Sequence, residues 1–257
     1  MRFRAAVVRP PTPNFADGLT RASLGAPSFA RAVEQHERYC EALVACGCEV
    51  IRLAPEREYP DATFVEDTAI VSARGAVVMR PGAATRRGEV ASIGTALADL
   101  VPILGTIDPP GTVDGGDICE AGGRFFIGLS ERTDEPGARQ LTGILANAGY
   151  EARTVDIRGV AELLHLKSGL ASLHDGRLIA VDALAGRPEL AGFDIVRVDP
   201  AEAYAANCID VNGRVLLAHG FPKLEASLRA LGYDVVTLAM TEFEKMDGGL
   251  SCLSLRL

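Results

Sequence analysis

Gly232-Tyr233-Asp234-Val235-Val236 is one of four versions of the same message, the others being Gly47-Cys48-Glu49-Val50-Ile51, Gly149-Tyr150-Glu151-Ala152 and Gly192-Phe193-Asp194-Ile195-Val196. In each, a glycine closes a helix-like stretch, a bulky or sulfur-bearing residue and an acid follow, and an apolar run begins. The last three copies follow one another at roughly 40 residues and the first interval is about double, which calls for a missing member. A degenerate copy lies there, where Ala96 to Leu100 runs into Val101-Pro102-Ile103-Leu104. Five units of about 40 to 50 residues account for the chain, and such a unit buries its apolar face only against its neighbours. Five is few enough to close a ring.

Each unit also carries a hairpin signal. Arg74-Gly75-Ala76-Val77-Val78, Gly123-Arg124-Phe125-Phe126-Ile127, Gly176-Arg177-Leu178-Ile179-Ala180 and Gly213-Arg214-Val215-Leu216 all open an apolar strand with a Gly/Arg pair. Asp175-Gly176 and Asn212-Gly213 are dipeptides favoured in two-residue hairpins, where both central positions take positive φ. The unit reads as hairpin, helix, strand, with helices expected at about 29 to 46, 86 to 99, 135 to 148 and 222 to 231. Glycine follows three of them directly, as a C-cap should.

The chain has 257 residues, 48% hydrophobic and 23% charged, enough for a sizeable core, and residues 1–257 are expected to form one domain. A net charge of −8 with no basic cluster disfavours a nucleic-acid surface and mildly favours a cationic ligand. The first residues, Met1-Arg2-Phe3-Arg4-Ala5-Ala6-Val7-Val8-Arg9-Pro10-Pro11, break their apolar stretch too early for a signal peptide, and no segment approaches membrane-spanning length. A cytoplasmic location and no membrane partner are expected; a homodimer is left open. Six cysteines, at 40, 46, 48, 119, 208 and 252, show no metal-site spacing with the four histidines, so reduced thiols are the default. There is no phosphate-binding glycine loop, nucleophile elbow or dinucleotide fingerprint, and no cofactor or metal is expected.

Chemistry is therefore sought among polar residues at strand ends. Asp247 to Leu257 alternates as a strand, with Ser251, Leu253, Leu255 and Leu257 on one face and Cys252, Ser254 and Arg256 on the other. A structural cysteine would sit more naturally with the leucines, although inert packing is the commoner fate of a buried thiol. Gly248-Gly249 just upstream could admit a ligand close to the backbone. His165, in Leu163-Leu164-His165-Leu166-Lys167-Ser168-Gly169, is either a satisfied core histidine or the partner of a thiol and a carboxylate. Asp114 and Asp117 flank two glycines at the opening of a strand, where turn formation explains them equally well. In Pro60 to Val71, Asp61, Glu66 and Asp67 fall within seven positions, the last two opening an apolar strand beside Phe64. As a solvated turn that cluster is unremarkable, but as a pocket it suits a planar cation. Carboxylates offer paired acceptors to a guanidinium fork, and an aromatic face can cover it.

Taken together, Phe64-Val65-Glu66-Asp67, Arg80-Pro81-Gly82-Ala83 with Arg86-Arg87, Asp114-Gly115-Gly116-Asp117, Gly128-Leu129-Ser130 with Arg132-Thr133, Leu164-His165-Leu166-Lys167, Ala205-Ala206-Asn207-Cys208-Ile209 and Asp247-Gly248-Gly249-Leu250-Ser251-Cys252 resemble the dimethylarginine dimethylaminohydrolase family of the guanidine-modifying (pentein) superfamily. The resemblance spans the chain in order. It implies an α/β fold, a five-bladed α/β propeller, and agrees with the five units counted independently. It further implies Cys252 as nucleophile, His165 as general acid/base and Asp114 as its support. Asp61, Phe64, Glu66 and Asp67 would form the guanidinium pocket, Arg86 and Arg132 would hold the amino-acid carboxylate, and Leu19 would sit on a lid within the aperiodic segment from Pro11 to Pro27. Asp114 stands where some relatives carry Glu, which leaves its reach to His165 open. The implied reaction is hydrolysis of a methylarginine to citrulline and an amine through a covalent thiouronium on Cys252. Hydrolysis of unmethylated arginine and amidino transfer are rival activities, although both usually accompany longer chains. A noncatalytic binder of arginine derivatives is the rival of another class, and it would have no need of Cys252 or His165.

Overall fold

A computed structural model describes residues 2–257. The chain opens with β1 (Ala5–Val8), α1 (Phe29–Ala45) and β2 (Glu49–Arg52), then runs through β3 (Ala69–Ser72), β4 (Gly75–Val78), α2 (Val90–Ala98) and β5 (Ile103–Thr106). Next come β6 (Ile118–Ala121), β7 (Arg124–Leu129), α3 (Glu135–Asn147) and β8 (Glu151–Asp156), then β9 (Leu170–Ser172), β10 (Leu178–Ala180), α4 (Asp182–Ala185) and β11 (Ile195–Arg197). The last unit is β12 (Ile209–Val211), β13 (Arg214–Ala218), α5 (Pro222–Ala230) and β14 (Asp234–Leu238), after which α6 (Thr241–Glu244) leads to β15 (Leu255–Arg256). These strands form five three-stranded sheets. In four of them a hairpin pairs antiparallel and a helix returns the chain to a third, parallel strand, as in β6-β7-β8. The first sheet takes its antiparallel strand from the far end of the chain, with Ala6 opposite Arg256 and Val7 opposite Leu255.

The repeated glycine signal has one physical cause. Cys48, Tyr150 and Tyr233 each donate their N–H to the carbonyl of a leucine five residues back, Leu43, Leu145 and Leu228, at 3.0, 2.9 and 3.1 Å. The intervening Gly47, Gly149 and Gly232 have φ of +88°, +78° and +92°. This cap requires a left-handed residue, which glycine adopts without a Cβ penalty. Each bulky residue then packs in the same apolar cluster as its leucine. In the degenerate copy Val101 bonds back to Leu97 without a glycine. The fourth unit departs further, because α4 is only four residues long and Gly192 follows a 3-10 turn at Pro188–Leu190. The helix expected at 86 to 99 begins as a 3-10 turn at Ala84–Glu89 and becomes α-helical at Val90.

Apolar cores join each sheet to the next. Ile70 and Val77 pack with Ile118 and Phe125, Phe126 with Leu170 and Leu178, and Ile179 with Val215 and Leu217. Leu216 and Val211 of the fifth sheet share a core with Ala6 and Val8 of the first, and Val7 and Leu255 pack on Ala69 and Ala76 of the second. Burying a large aliphatic side chain in this way contributes roughly 1.5–3 kcal/mol. Every sheet therefore depends on both of its neighbours.

A second repeat was not visible in the sequence. The first strand of each sheet is entered through a 3-10 turn: Val65–Thr68, Gly115–Asp117, Leu166–Ser168, Pro200–Ala206 and Ser251–Leu253. Two expectations are corrected by this. Glu66 and Asp67 lie in a turn that precedes the strand, and the strand expected over Asp247 to Leu257 is confined to Leu255–Arg256. Cys252 sits in the turn, whose Ser251 N–H is taken by Asn207 Oδ1 at 2.9 Å and so is lost to any ladder.

Candidate active site

Leu19, Asp61, Phe64, Asp67, Arg86, Arg132, His165 and Cys252 line one small cavity of about 30 Å³. Asp114 is buried behind His165, with Oδ2 3.0 Å from His165 Nε2 and Oδ1 accepting the Gly82 N–H at 2.8 Å. Glu66 is the exception. A 3-10 turn rotates each residue by about a third of a circle, so Glu66 and Asp67 leave it on different sides. Glu66 borders a larger central cavity, where it pairs with Lys167 Nζ at 2.5 Å and accepts the Ser251 hydroxyl at 2.7 Å. It faces the Cys252 turn from behind.

The cysteine is held rather than merely packed. Gly249 N–H points at Sγ from 3.4 Å and Asn207 Nδ2 lies 3.9 Å away. The glycine pair upstream has a different use from the one expected: a Cβ on Gly248 would collide with the Phe64 ring and one on Gly249 with the Asn207 carboxamide. The close approach is by the protein's own side chains. Burial, then the charges of Glu66 and Asp67, push the Cys252 thiol up to about 12, against weaker opposing effects of the Gly249 N–H and Lys167.

His165 has the opposite surroundings. Burial alone would lower its imidazole, but Asp67, Asp117 and Asp114 outweigh it and raise the group to about 9. Asp67 Oδ1 is 3.9 Å from Nε2. Burial works against the Asp67 carboxylate, yet His165 and Arg86 hold it at about 2. At neutral pH the empty site therefore contains an imidazolium and a thiol. Asp117 lies deeper, accepting Ser130 and Thr133 hydroxyls at 2.6 and 2.7 Å and the Leu166 N–H at 2.9 Å, and burial raises it to about 6. Through Leu166 it fixes the turn that presents His165. Asn207 was present in a sequence motif with no role attached, and Asp117 only as an alternative to Asp114 for the carboxylate beside His165. Only long-range contacts reveal what they do.

At the other end, Asp61 accepts the Leu19 N–H at 3.0 Å, and burial raises its carboxyl. The strap carrying Leu19 is tied down by Thr20, which donates to Lys245 O at 2.9 Å and Asp247 Oδ2 at 3.1 Å, and by an Arg21–Glu131 ion pair. Arg86 is buried and largely spent within the protein, on Asp67 at 2.5 Å, on Glu89 at 2.8 Å and on two backbone carbonyls. Arg132 differs, since its buried Nη1 has no hydrogen-bond partner among the described residues. It is the freer donor. Asp67, Asp114 and His165 are the one group of potential metal ligands close enough to share an ion among the described residues. Within it Asp114 bonds His165, while Asp67 lies 3.9 Å from His165 and accepts from Gly116 N–H and Arg86.

No protein-family model matches the chain. It is 41% identical over 255 residues to N(G),N(G)-dimethylarginine dimethylaminohydrolase of Pseudomonas aeruginosa, covering 99% of each. It is 36% identical over 258 residues to the Streptomyces coelicolor protein of the same name, covering 100% of this chain and 98% of that one. Among solved structures, a cysteine-to-serine mutant of the P. aeruginosa enzyme complexed with citrulline matches with a TM-score of 0.96 at 40% identity, over 100% of both chains. The N-terminal domain of ArgZ shares the fold at a TM-score of 0.88 and 20% identity, covering 100% of this chain and 97% of that one. With this likeness end to end, the chain belongs to the dimethylarginine dimethylaminohydrolase family.

Proposed function

We propose that the protein hydrolyses Nω-methylated arginines to citrulline and methylamine or dimethylamine, and that its five sheets are the blades of a single-domain propeller with the site where the entry turns meet. The observation that carries the reading is a thiol and a carboxylate-backed imidazole lining the same cavity as Asp61, Asp67, Arg86 and Arg132. Asp67, beside His165, meets the guanidinium at the reacting end. Asp61, bonded to Leu19, meets positive charge at the strap end, and Arg132, with Arg86, receives the carboxylate.

A guanidinium carbon is resonance-stabilised, so the attacking atom must be a strong, soft nucleophile such as a thiolate. Bringing a thiol from about 12 to neutrality requires roughly 7 kcal/mol of preferential stabilisation of its anion. The substrate cation, brought to within about 4 Å at an effective dielectric of 20, supplies about 4 kcal/mol of this. Substrate is thus part of the activation. As substrate binds, the Cys252 thiol gives its proton to solvent; the thiolate then forms the C–S bond, His165 protonates the departing nitrogen, and the C–N bond breaks to leave a thiouronium. His165 then takes a proton from water, whose oxygen adds to the same carbon before the C–S bond breaks and citrulline is released.

Incubation with asymmetric dimethylarginine, monomethylarginine and arginine tests the reading, and citrulline with stoichiometric alkylamine is expected from the first two. Citrulline and ammonia from arginine alone would replace it with a deiminase activity. Methyl discrimination in such a pocket involves only about 1–3 kcal/mol per group. We also expect the ultraviolet absorbance of the thiolate to be absent at neutral pH in the empty enzyme and to rise when an unreactive arginine analogue binds. A fully ionised Cys252 without ligand would refute substrate-promoted activation.

A further inference from the structure

A second cavity, of about 480 Å³, lies beside the reacting pair. It is bounded by α4, the Pro200–Ala206 turn and α6, and Ala22 and Leu24 of the strap stand at its edge. Two of its wall residues, Asn207 and Gly249, are groups that touch the sulfur of Cys252. Leu164 and Ser168, on either side of His165 in the chain, also line it. Leu164 and Asp247 border both this cavity and the small one, so only a layer of side chains divides them.

Its chemistry is one-sided. The wall contains Glu162, Asp182, Glu244 and Asp247 among apolar residues such as Val160, Val181 and Val198, and it contains no lysine, arginine or histidine. Asp182 is paired with Arg197 and Asp247 is occupied by the strap, but Glu162 and Glu244 have no ion-pair partner among the described residues.

We propose that the larger cavity is the release site for the leaving amine, a small alkylammonium ion, with Leu164 as the partition it passes. This rests on the hydrolase reading above. When the C–N bond of the adduct breaks, the electron pair stays on nitrogen and His165 supplies the proton, so neutral dimethylamine departs. It then takes a second proton from water, because an alkylamine of about lysine's basicity, pKa about 10, is a cation at neutral pH. Methyl groups meet the valines and the charge meets Glu162 and Glu244. The strap can stay closed over the thiouronium while the amine leaves.

The experiment has two arms on the full-length enzyme. Dimethylammonium chloride binding, followed by ligand-detected NMR, is expected for the wild type and for Cys252→Ser, and to weaken at least about 5-fold in the Glu162→Gln/Glu244→Gln double variant. Ala203→Trp, which fills the cavity, is expected to lower kcat for dimethylarginine about 10-fold or more while KM changes less than about 2-fold. If that variant does not fold, Ala183→Trp at the same wall takes its place. Equal dimethylammonium binding by wild type and double variant, or a folded, filled variant with wild-type kcat, overturns the release site. Should the wild type form no citrulline, the hydrolase reading falls on its own, and the NMR arm still decides whether the cavity takes the cation.

Discussion

Cys252→Ser is expected to lower kcat by about 10⁴-fold or more while leaving dimethylarginine binding measurable. The wild-type thiol already starts at about 12 and becomes a nucleophile when the substrate cation is brought against it. A serine hydroxyl starts far higher and would remain neutral in the same field, behind Glu66 and Asp67. Nothing else in the cavity can take over the attack: its other lining groups are carboxylates, guanidiniums, His165 and apolar side chains. The exchange is nearly isosteric, and Gly249 N–H and the Asn207 carboxamide can both accommodate an oxygen. Asp61, Asp67 and Arg132 are untouched, so calorimetry should detect the complex that single-turnover assays find inert. Citrulline formation within about tenfold of wild type would remove Cys252 from the mechanism.

The same residue marks the boundary of what the chain discloses unaided. Tyr150 and Tyr233 are legible because the cap they complete is local: one left-handed glycine and one leucine five residues back dictate it. Those caps, with the hairpin dipeptides, identify five units. Asn212-Gly213 adopts positive φ at both positions as the two-residue turn requires, whereas at Asp175-Gly176 only the glycine does. The alternation of Leu253, Leu255 and Leu257 is just as local, and it misleads. Ser251 and Cys252 are bent into a turn by Asn207 and Glu66, which lie 44 and 185 residues away from Ser251, and no window of sequence contains those contacts. Glu66 failed for a related reason. Adjacent acids look like one cluster in a sequence, yet the turn sends Asp67 to His165 and Glu66 to Lys167. The candidates were therefore found as residue types in motifs, while their division between the cavity and its supports came from packing.

Asp114→Asn is expected to reduce kcat by up to about 10⁴-fold, the loss found when the carboxylate orienting a catalytic histidine becomes an amide. Asp114 uses one oxygen for Gly82 N–H and the other for His165 Nε2, and both partners are donors when the imidazole is charged. An asparagine can accept from only one of them and must turn its amide N–H toward the other. Either Gly82 loses its acceptor or the imidazolium meets a donor. The charge lost is one of the three that hold His165 at about 9, with Asp67 and Asp117 remaining, so the imidazole must titrate at lower pH than in the wild type. Because the departing amine needs a proton from the imidazolium, the alkaline limb of kcat/KM should move to lower pH in the variant. Stability carries the same sign: a histidine raised from 6.5 to about 9 stabilises the fold fully below pH 6.5, and that contribution disappears as pH rises through about 9. The variant should accordingly lose more stability at pH 6 than at pH 9.5, which denaturant titration at the two values measures. A wild-type rate with an unmoved alkaline limb would show that Asp114 neither orients nor charges His165, and the conservative Asp114→Glu replacement should recover part of both effects.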